Sequence, residues 1–368
     1  MKVLMVHARY RRPGGEDVSV ATEARALAAL GVEVDLWTLP AETVAGPAAF
    51  ARAAWNRAAV AELVRRVRQR RPDVIHVQNF FPGLSPAVHR AAARLGIPVA
   101  QSVRNWRLVC PAATRFRAGQ VCDACVERPL AWPALGRPCW RGQRGATAAA
   151  ALALGLSGLI GTWGRVARFI CPSRAVADAL PAGWPKAVVP NMVDPAPAAA
   201  GPGAAAVVYA GRLTQEKGVG CLAEAWRRHP LPPLDVYGEG PMESALAGVP
   251  GITLHGRRDH GQVLEAMAAA RAVVVPSLWP EPFGRAAIEA LACGTPVVAT
   301  AAGALPELIE DGLTGHVVPA DDPHALARAV QATGGSGQRQ AARTAFERRF
   351  AAPVVAPRLV EVYRSCLP

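Results

Sequence analysis

Short apolar segments alternate with helical segments over most of this chain, and this alternation limits the folds that it can adopt. Lys2–His7 is a continuous apolar run, which leads through a glycine turn into a predicted helix at Val18–Leu30 and a strand at Val32–Leu39. Continuous apolar runs are typical of strands buried on both faces of a parallel sheet. The alternation returns later, with predicted strands at Val207–Gly211, Leu234–Gly238, Ile252–Gly256, Ala272–Pro276, Pro296–Thr300 and His316–Val318. The pattern predicts an α/β protein with two doubly wound parallel sheets.

The length of the chain fits two domains with separate cores. It has 368 residues, of which 51% are apolar and 19% charged, as in globular proteins. A stretch rich in Pro, Ala and Gly at Asp194–Ala206 is the predicted linker. We therefore expect an N-terminal Rossmann-like domain over 1–193, with a Cys-rich insertion near 104–145, and a second such domain over 194–350. Residues 351–368 have helical apolar spacing and are expected to cross back to the first domain.

Polar residues follow the predicted strands of the first domain, at the sheet edge where open α/β sheets bind ligands. Gly14 and Gly15 follow the first strand, and paired glycines let a backbone approach a diphosphate closely. The G-x-G-x-x-G spacing is missing, which argues against a nicotinamide or flavin site. The later strand ends contribute His76, Gln78, Asn79 and Arg104.

The stretch Pro276–Cys293 places two carboxylates around a helix start. Pro280 and Pro282 disfavour helix just before them, so Glu281 is predicted to precede the helix and Glu289 to lie within it. The backbone N–H groups of Phe283, Gly284 and Arg285 would then be helix-start donors, which suit a phosphate. Because carboxylates repel phosphate, they suit sugar hydroxyls better, so the pattern favours a nucleoside-diphosphate sugar. The alternative is that Glu281 caps the helix and Glu289 is an ordinary solvated residue.

A second set of polar residues follows the strands at Val207–Gly211 and Leu234–Gly238. Gly211, Arg212 and Lys217 surround the first turn, and Glu239 lies in the second. An Arg fork and a Lys point charge together are suited to neutralising a diphosphate leaving group. For isolated residues, an Arg and a Lys on the surface beside a turn are the simpler interpretation.

Taken together, these motifs resemble those of retaining glycosyltransferases of family 4, which have the GT-B fold of two Rossmann-like domains facing a cleft. The resemblance covers essentially the whole chain and rests on E-P-F-G…E at Glu281–Glu289, G-R-L…E-K-G at Gly211–Gly218, G-E-G-P at Gly238–Pro241 and G-T-P-V-V at Gly294–Val298. It implies that Glu289 binds ribose hydroxyls and that Glu281 approaches the donor sugar. It further implies phosphate contacts from Arg212, Lys217, Phe283 and Gly284, and a place for Glu239 beside the nucleoside.

The resemblance also implies a mechanism without a carboxylate nucleophile, in which the acceptor attacks on the face that the diphosphate leaves. Catalysis then rests on stabilising the leaving diphosphate and holding the acceptor beside the donor. The first domain departs from the family pattern, because a His-x-His reads His76-Val77-Gln78 and a His-Asn reads Arg104-Asn105. His76 is either an acceptor-side base or a structural histidine. Gln78, Asn79 and Arg104 are the other acceptor-side candidates.

Four of the eight cysteines lie close together in the insertion: Cys110, Cys122, Cys125 and Cys139. One C-x-x-C with two flanking cysteines can supply a closed tetrahedral site for structural zinc. Reduced, packed thiols are the alternative. No metal or other cofactor is needed for catalysis in this interpretation, since the nucleotide sugar is a co-substrate.

The formal charge of +13 has two explanations, attraction to anionic ligands or membrane surfaces and an Arg-rich solvated surface. The apolar run Ala146–Ile160 is short for a membrane span and favours a buried or interfacial helix. The N-terminus begins directly with a strand pattern. We therefore expect a cytoplasmic protein, with peripheral contact to the inner membrane surface as an option.

The predicted function is transfer of a sugar to a hydroxyl or amine of a glycan, a lipid or a small natural product. A nucleotide-sugar epimerase on the same scaffold is the first alternative. A zinc-containing nucleic-acid-binding protein is the second, but no basic stripe with interleaved aromatics is evident, so no nucleic-acid partner is expected. The sequence leaves the oligomeric state open.

Overall fold

A computed structural model describes residues 1–9, 14–40, 52–196 and 206–367. The chain divides into two units. The first comprises Met1–Arg115, Cys122–Met192 and Val355–Pro368, and the second comprises Phe116–Val121 and Val193–Val354. The predicted linker lies partly outside the described residues, but its first residues belong to the second unit, where Ala196 is buried.

The first unit contains a parallel sheet. In the described residues its strands are β1 (Lys2–Ala8), β2 (Glu33–Leu39), β3 (Val74–Val77), β4 (Val99–Ser102), β7 (Arg168–Cys171) and β8 (Lys186–Val188). Their spatial order is β2-β1-β3-β4-β7-β8, and all pairs are parallel. The helices are α1 (Gly15–Ala29), α2 (Arg57–Gln69), α3 (Ala87–Arg94), α4 (Arg144–Leu159) and α5 (Arg174–Ala179). The helix α13 (Ala352–Arg364) also belongs to this unit from Val355 onward.

The second unit repeats this architecture. Its parallel strands are β9 (Val207–Ala210), β10 (Leu234–Tyr237), β11 (Ile252–Gly256), β12 (Ala272–Val275), β13 (Val297–Thr300) and β14 (Gly315–Val318), in the order β11-β10-β9-β12-β13-β14. Its helices are α6 (Val219–Arg228), α7 (Glu243–Leu246), α8 (His260–Ala269), α9 (Arg285–Ala292), α10 (Leu305–Leu308), α11 (Pro323–Ala332) and α12 (Ser336–Arg349). A short antiparallel hairpin, β5 (Phe116–Arg117) and β6 (Gln120–Val121), is grouped with this unit. The predicted pair of parallel α/β sheets is confirmed.

The core of the second unit holds the strands that carry the candidate site. Every residue of β12 and β13 is buried, as expected for central strands covered on both faces. Helix α9 is buried over Ala287–Ala292 and contacts β12 and β13. Because β9 and β12 are neighbours and the strand order reverses between them, their carboxyl ends form the switch point at which such sheets bind ligands.

None of the helices in the described ranges combines the length and apolar character that a membrane crossing requires.

Candidate functional site

The loop after β9 packs directly on the loop after β12. Gly218 has a φ of +73°, and a Cβ at this position would lie 1.7 Å from the carbonyl oxygen of Pro276. The carbonyl oxygen of Glu216 accepts hydrogen bonds from the backbone N–H groups of Leu278 and Trp279, at 2.9 and 3.2 Å. Only a glycine allows this approach, so the G-R-L…E-K-G motif fixes the position of Lys217 relative to the Glu281 loop.

Lys217 and Glu281 form an ion pair between these two loops. The Nζ atom of Lys217 lies 2.5 Å from Oε1 of Glu281, and Oγ of Ser277 donates to the same oxygen at 2.6 Å. The Glu281 side chain is 6% exposed, whereas that of Lys217 is 21% exposed. The ammonium group therefore neutralises a buried carboxylate while keeping access to solvent.

The ionisation of Glu281 follows from these contacts. Burial by itself raises the pKa of Glu281, but the charge and hydrogen bond of Lys217, with smaller contributions from Ser277 and Trp279, outweigh it and lower the pKa. Glu281 is thus ionised at neutral pH and is not suited to donate a proton. It does not cap α9 either, since the N-cap residue is Gly284.

Glycines also hold the turn that leads into α9. Gly284 has a φ of +88°, and its backbone oxygen accepts from Ala287 N at 3.0 Å. A Cβ on Gly303 would lie 2.3 Å from the Glu281 carbonyl oxygen, which accepts from Ala304 N at 2.8 Å. With Phe283 buried beside it, the turn presents the start of α9 next to the Lys217–Glu281 pair.

Glu289 is buried on α9. Its Oε1 accepts from Nε of Arg285 at 2.6 Å and lies 3.5 Å from Nε2 of His260 at the start of α8. The interpretation as an ordinary solvated residue is therefore wrong for Glu289. Sequence reasoning missed His260, because the helix was predicted to begin only at Gln262.

Among the predicted donor-side residues of the second unit, Arg212 and Glu239 are exposed. The Arg212 side chain is 62% exposed and pairs with Glu216 at 3.2 Å, an i,i+4 surface contact of small energy. The turn that carries Glu239 packs on the β9 loop, where a Cβ on Gly240 would lie 2.2 Å from the Leu213 carbonyl oxygen. The structure thus brings Gly211, Arg212, Lys217, Glu239 and the Glu281 loop together at one edge of the second sheet.

In the first unit, Gly14 and Gly15 lie at the start of α1, which begins three residues before the predicted start at Val18. Gly14 N donates to Oδ2 of Asp17 at 3.0 Å, and Oδ1 of Asp17 lies 3.0 Å from Nε2 of the buried His7. A His–Asp contact therefore connects the end of β1 to the glycine turn. Sequence reasoning missed both of these residues.

Arg104 and Gln78 meet in a buried polar network. Arg104 pairs with Glu23, and these side chains are only 5% and 7% exposed. Arg104 Nε donates to Gln78 Oε1 at 3.0 Å, Gln78 Nε2 donates to Glu23 Oε2 at 2.8 Å, and a further guanidinium nitrogen of Arg104 donates to Asn191. Glu23 and Asn191 were not predicted. The signal available for Glu23 was an acid on the inner face of the predicted helix.

His76 is fully buried on β3. Its Nδ1 lies 2.6 Å from the hydroxyl of Tyr363 on α13, and its Nε2 lies 2.8 Å from Oγ of Ser102. Burial, with a contribution from Arg104, lowers its pKa to about 3. This environment supports the structural alternative over the base. Asn79 is likewise hydrogen-bonded within the first unit, since its Nδ2 donates to Ala8 O at 2.8 Å.

The structure does not support the zinc interpretation of the insertion. Cys110, Cys122, Cys125 and Cys139 form no disulfides and are of intermediate burial. Across the ranges that the structure describes, no three or more His, Cys, Asp or Glu side chains are grouped so as to hold a metal ion. Burial raises the pKa of Cys125 to about 11, with contributions from the three other thiols. Reduced, packed thiols are what the structure supports.

Two known protein-family models match this chain. The family model described as Glycosyltransferase Family 4 matches residues 13–197, half of the chain. This chain belongs to glycosyltransferase family 4. A second model, Glycosyl transferases group 1, matches residues 204–333 of this family 4 member and so covers the Lys217–Glu281 site.

Known relatives of this family 4 member include a glycogen synthase of Mycobacterium tuberculosis. It is 36% identical over 140 residues, which are 35% of this chain and 34% of the relative. The match therefore spans only about a third of that relative's length.

Solved structures match almost the whole chain. Sucrose-phosphate synthase from Thermosynechococcus elongatus has a TM-score of 0.70 at 19% identity, covering 99% of this chain and 98% of the other. HepE of Anabaena, in complex with UDP-glucose, has a TM-score of 0.67 at 19% identity, covering 99% and 100%. At this identity the likeness concerns the fold, and it confirms the GT-B fold for this family 4 member.

Proposed function

We propose that this family 4 member is a retaining glycosyltransferase that moves a sugar from a nucleoside-diphosphate sugar to an acceptor hydroxyl or amine. The observation that carries the proposal is the Lys217–Glu281 pair, which two glycine-packed loops hold beside the start of α9. The acceptor belongs to a glycan, a lipid or a small natural product.

The charges of the site suit a leaving diphosphate. Lys217 carries three N–H donors, of which Glu281 Oε1 takes one, so the exposed part of the ammonium group can bind phosphate oxygens. Arg212 adds a largely exposed guanidinium whose surface pair with Glu216 is easily exchanged. Together with the N–H groups at the start of α9, they stabilise the charge that develops as the diphosphate departs.

The two carboxylates suit hydroxyl groups. Ionised Glu281 accepts hydrogen bonds, which fits a donor sugar whose hydroxyls lie near the phosphates. Glu289, oriented by Arg285 and His260, fits the ribose hydroxyls of the nucleoside. In this proposal neither carboxylate is a nucleophile, and the anomeric configuration is retained because the acceptor enters on the face that the diphosphate leaves.

UDP-sugars are the first donors to test, because HepE, which shares the fold, binds UDP-glucose. We expect UDP or UDP-glucose to raise the melting temperature most in a thermal-shift panel that also contains GDP, dTDP and ADP with their sugars. Glu289→Gln and Arg212→Ala should each remove most of the shift. Glu265→Gln, an exposed acid on α8, is the matched control and should keep it. Full shifts in both folded site variants would refute the assignment.

Incubation with the donor alone separates the transferase from the epimerase. A transferase hydrolyses the donor slowly and leaves the remaining nucleotide sugar unchanged, whereas an epimerase converts it to a second nucleotide sugar. Family membership supports the transferase, and it also argues against the nucleic-acid-binding alternative.

A further inference from the structure

Within the part of the chain that the structure describes, one apolar face of helix α4 is exposed. Leu152, Leu156, Leu159 and Ile160 are 45%, 48%, 63% and 48% exposed. Leu152, Leu156 and Leu159 are spaced by four and three residues, which puts them on one side of the helix, and Ile160 follows directly at its end. The opposite side is packed into the first unit through small residues such as Ala150, Ala153 and Ser157. The exposed side is therefore a continuous apolar stripe on a firmly held helix.

The segment Pro129–Ala134 extends this apolar surface. It approaches α4 at Gly155, where an added Cβ would lie 2.4 Å from Cα of Leu130. Close by in the chain, Trp132 and Leu135 are 57% and 41% exposed. We call the six side chains the apolar patch: Trp132, Leu135, Leu152, Leu156, Leu159 and Ile160. Exposed apolar groups of this extent mark an interaction surface.

The stretch of sequence that carries the apolar patch has charges of one sign. From Arg128 to Ala177 the sequence contains no Asp or Glu, but it contains seven arginines: Arg128, Arg137, Arg141, Arg144, Arg165, Arg168 and Arg174. Arg137, Arg141 and Arg144 are exposed before or at the start of α4, and Arg165 is exposed beyond its end. Apolar side chains bordered by cations are the pattern of helices that lie in the interface of an anionic bilayer.

We propose that the apolar patch docks on the surface of a bilayer that contains anionic phospholipids. The leucines and Trp132 enter the boundary between headgroups and acyl chains, and the bordering arginines contact lipid phosphates. A second copy of the chain is a poorer occupant, because pairing two such patches would bring arginines of both copies together. This proposal concerns the first unit and does not depend on the donor site of the second.

Vesicle flotation tests the proposal with the purified chain. We expect it to float with vesicles of phosphatidylcholine and phosphatidylglycerol, to bind pure phosphatidylcholine at least tenfold more weakly, and to be released by salt. Leu156→Ser/Leu159→Ser should weaken binding by about tenfold or more. The control Leu313→Ser changes a leucine of the second unit that is 52% exposed and should not alter binding.

Charge reversal tests the arginines separately. Arg141→Glu/Arg144→Glu should weaken binding by roughly twentyfold or more. Arg348→Glu, an exposed arginine on α12, is its control and should have little effect. All four variants change exposed side chains, so unchanged melting temperatures will show that they fold.

Three outcomes would overturn the proposal. The first is failure of the wild-type chain to float, and the second is equal binding of all variants. The third is a wild-type dimer in light scattering without lipid that Leu156→Ser/Leu159→Ser converts to a monomer, since the patch would then bind a second copy. The UDP thermal shift is read on the same samples, so loss of membrane binding and failure of the transferase proposal are distinguishable.

Discussion

At the residue scale, Lys217 has two roles, and both of them use its ammonium group. It neutralises Glu281, which is buried, and in the proposed function it also binds the diphosphate. Replacing it therefore changes both folding stability and ligand binding. The two effects have to be measured separately.

The first prediction concerns Lys217→Met, which leaves Glu281 buried without its cation. We expect a loss of about 3 kcal/mol in the free energy of unfolding at neutral pH. In the wild type the lowered pKa of Glu281 gives a contribution that is present above the unfolded value of 4.5 and is lost as pH falls through the folded pKa. Without Lys217, burial raises that pKa, so the variant should recover stability on acidification. Urea denaturation from pH 4 to 7 measures both profiles.

The double variant Lys217→Met/Glu281→Gln is the control. It removes the uncompensated charge, so stability at neutral pH should return towards the wild type. The thermal shift caused by UDP should remain absent, because the cation that binds the diphosphate is still missing. A single Lys217→Met variant with the wild-type pH profile would contradict the pairing.

The second prediction concerns His76→Asn. Because the pKa of His76 is about 3 in the fold and 6.5 as the reference value, the unfolded chain binds the proton first, and stability is lost as pH falls from about 6.5 towards 3. The variant should be less stable at pH 7.5 by about 1–3 kcal/mol, since Tyr363 and Ser102 lose a buried partner. Its further loss between pH 7.5 and pH 5 should be smaller than in the wild type. The exposed His324→Asn should behave as the wild type, and an unchanged acid loss in His76→Asn would refute the assignment.

At the scale of elements, the glycine turns determine whether the site can form. Gly218 and Gly248 have nearly the same φ, +73° and +74°, but only Gly218 faces a carbonyl oxygen at 1.7 Å from an added Cβ, whereas Gly248 has nothing within 4 Å. A substitution at Gly248 therefore tests backbone strain alone, whereas the same substitution at Gly218 tests backbone strain together with a steric clash.

The third prediction uses this matched pair. Gly248→Ala should cost only the strain of a left-handed alanine, about 1–2 kcal/mol, and keep the UDP shift. Gly218→Ala should cost more, because the β9 loop has to move away from Pro276, and it should lose most of the shift. Thermal unfolding with and without UDP measures both, and equal behaviour of the two variants would contradict the packing of the loops.

The strands and helices were predictable from the sequence where a local pattern of residues is enough to specify them. The strands β12 and β13 are continuous apolar runs, and their predicted bounds are close to those observed. Helix α12 was missed because its sequence is polar and it buries few side chains, Arg339 among them. The donor-side residues were predicted by motif, whereas the contacts of Arg104 with Glu23 and Asn191 join residues 81 and 87 positions apart and leave no local signal.

At the scale of the molecule, the first unit depends on a distant part of the chain. Helix α13 supplies Tyr363 to His76, and Arg358 donates to Val188 O at 3.2 Å. The fourth prediction is that deletion of residues 355–368 destabilises the first unit and spares the second. Hydrogen exchange should speed up in peptides of β3 and β4 but not of β12 and β13, with the UDP shift kept. Equal acceleration in both sheets would contradict this division.

The two units are built from different parts of the sequence, so they become complete at different times during synthesis on the ribosome. The second unit takes nearly all of its residues from one continuous stretch, Val193–Val354, whereas the first needs Val355–Pro368 as well. Domains usually fold in the order in which they are translated. Here the unit that is translated first has to wait for Val355–Pro368, and the unit that is translated later is free to fold before it.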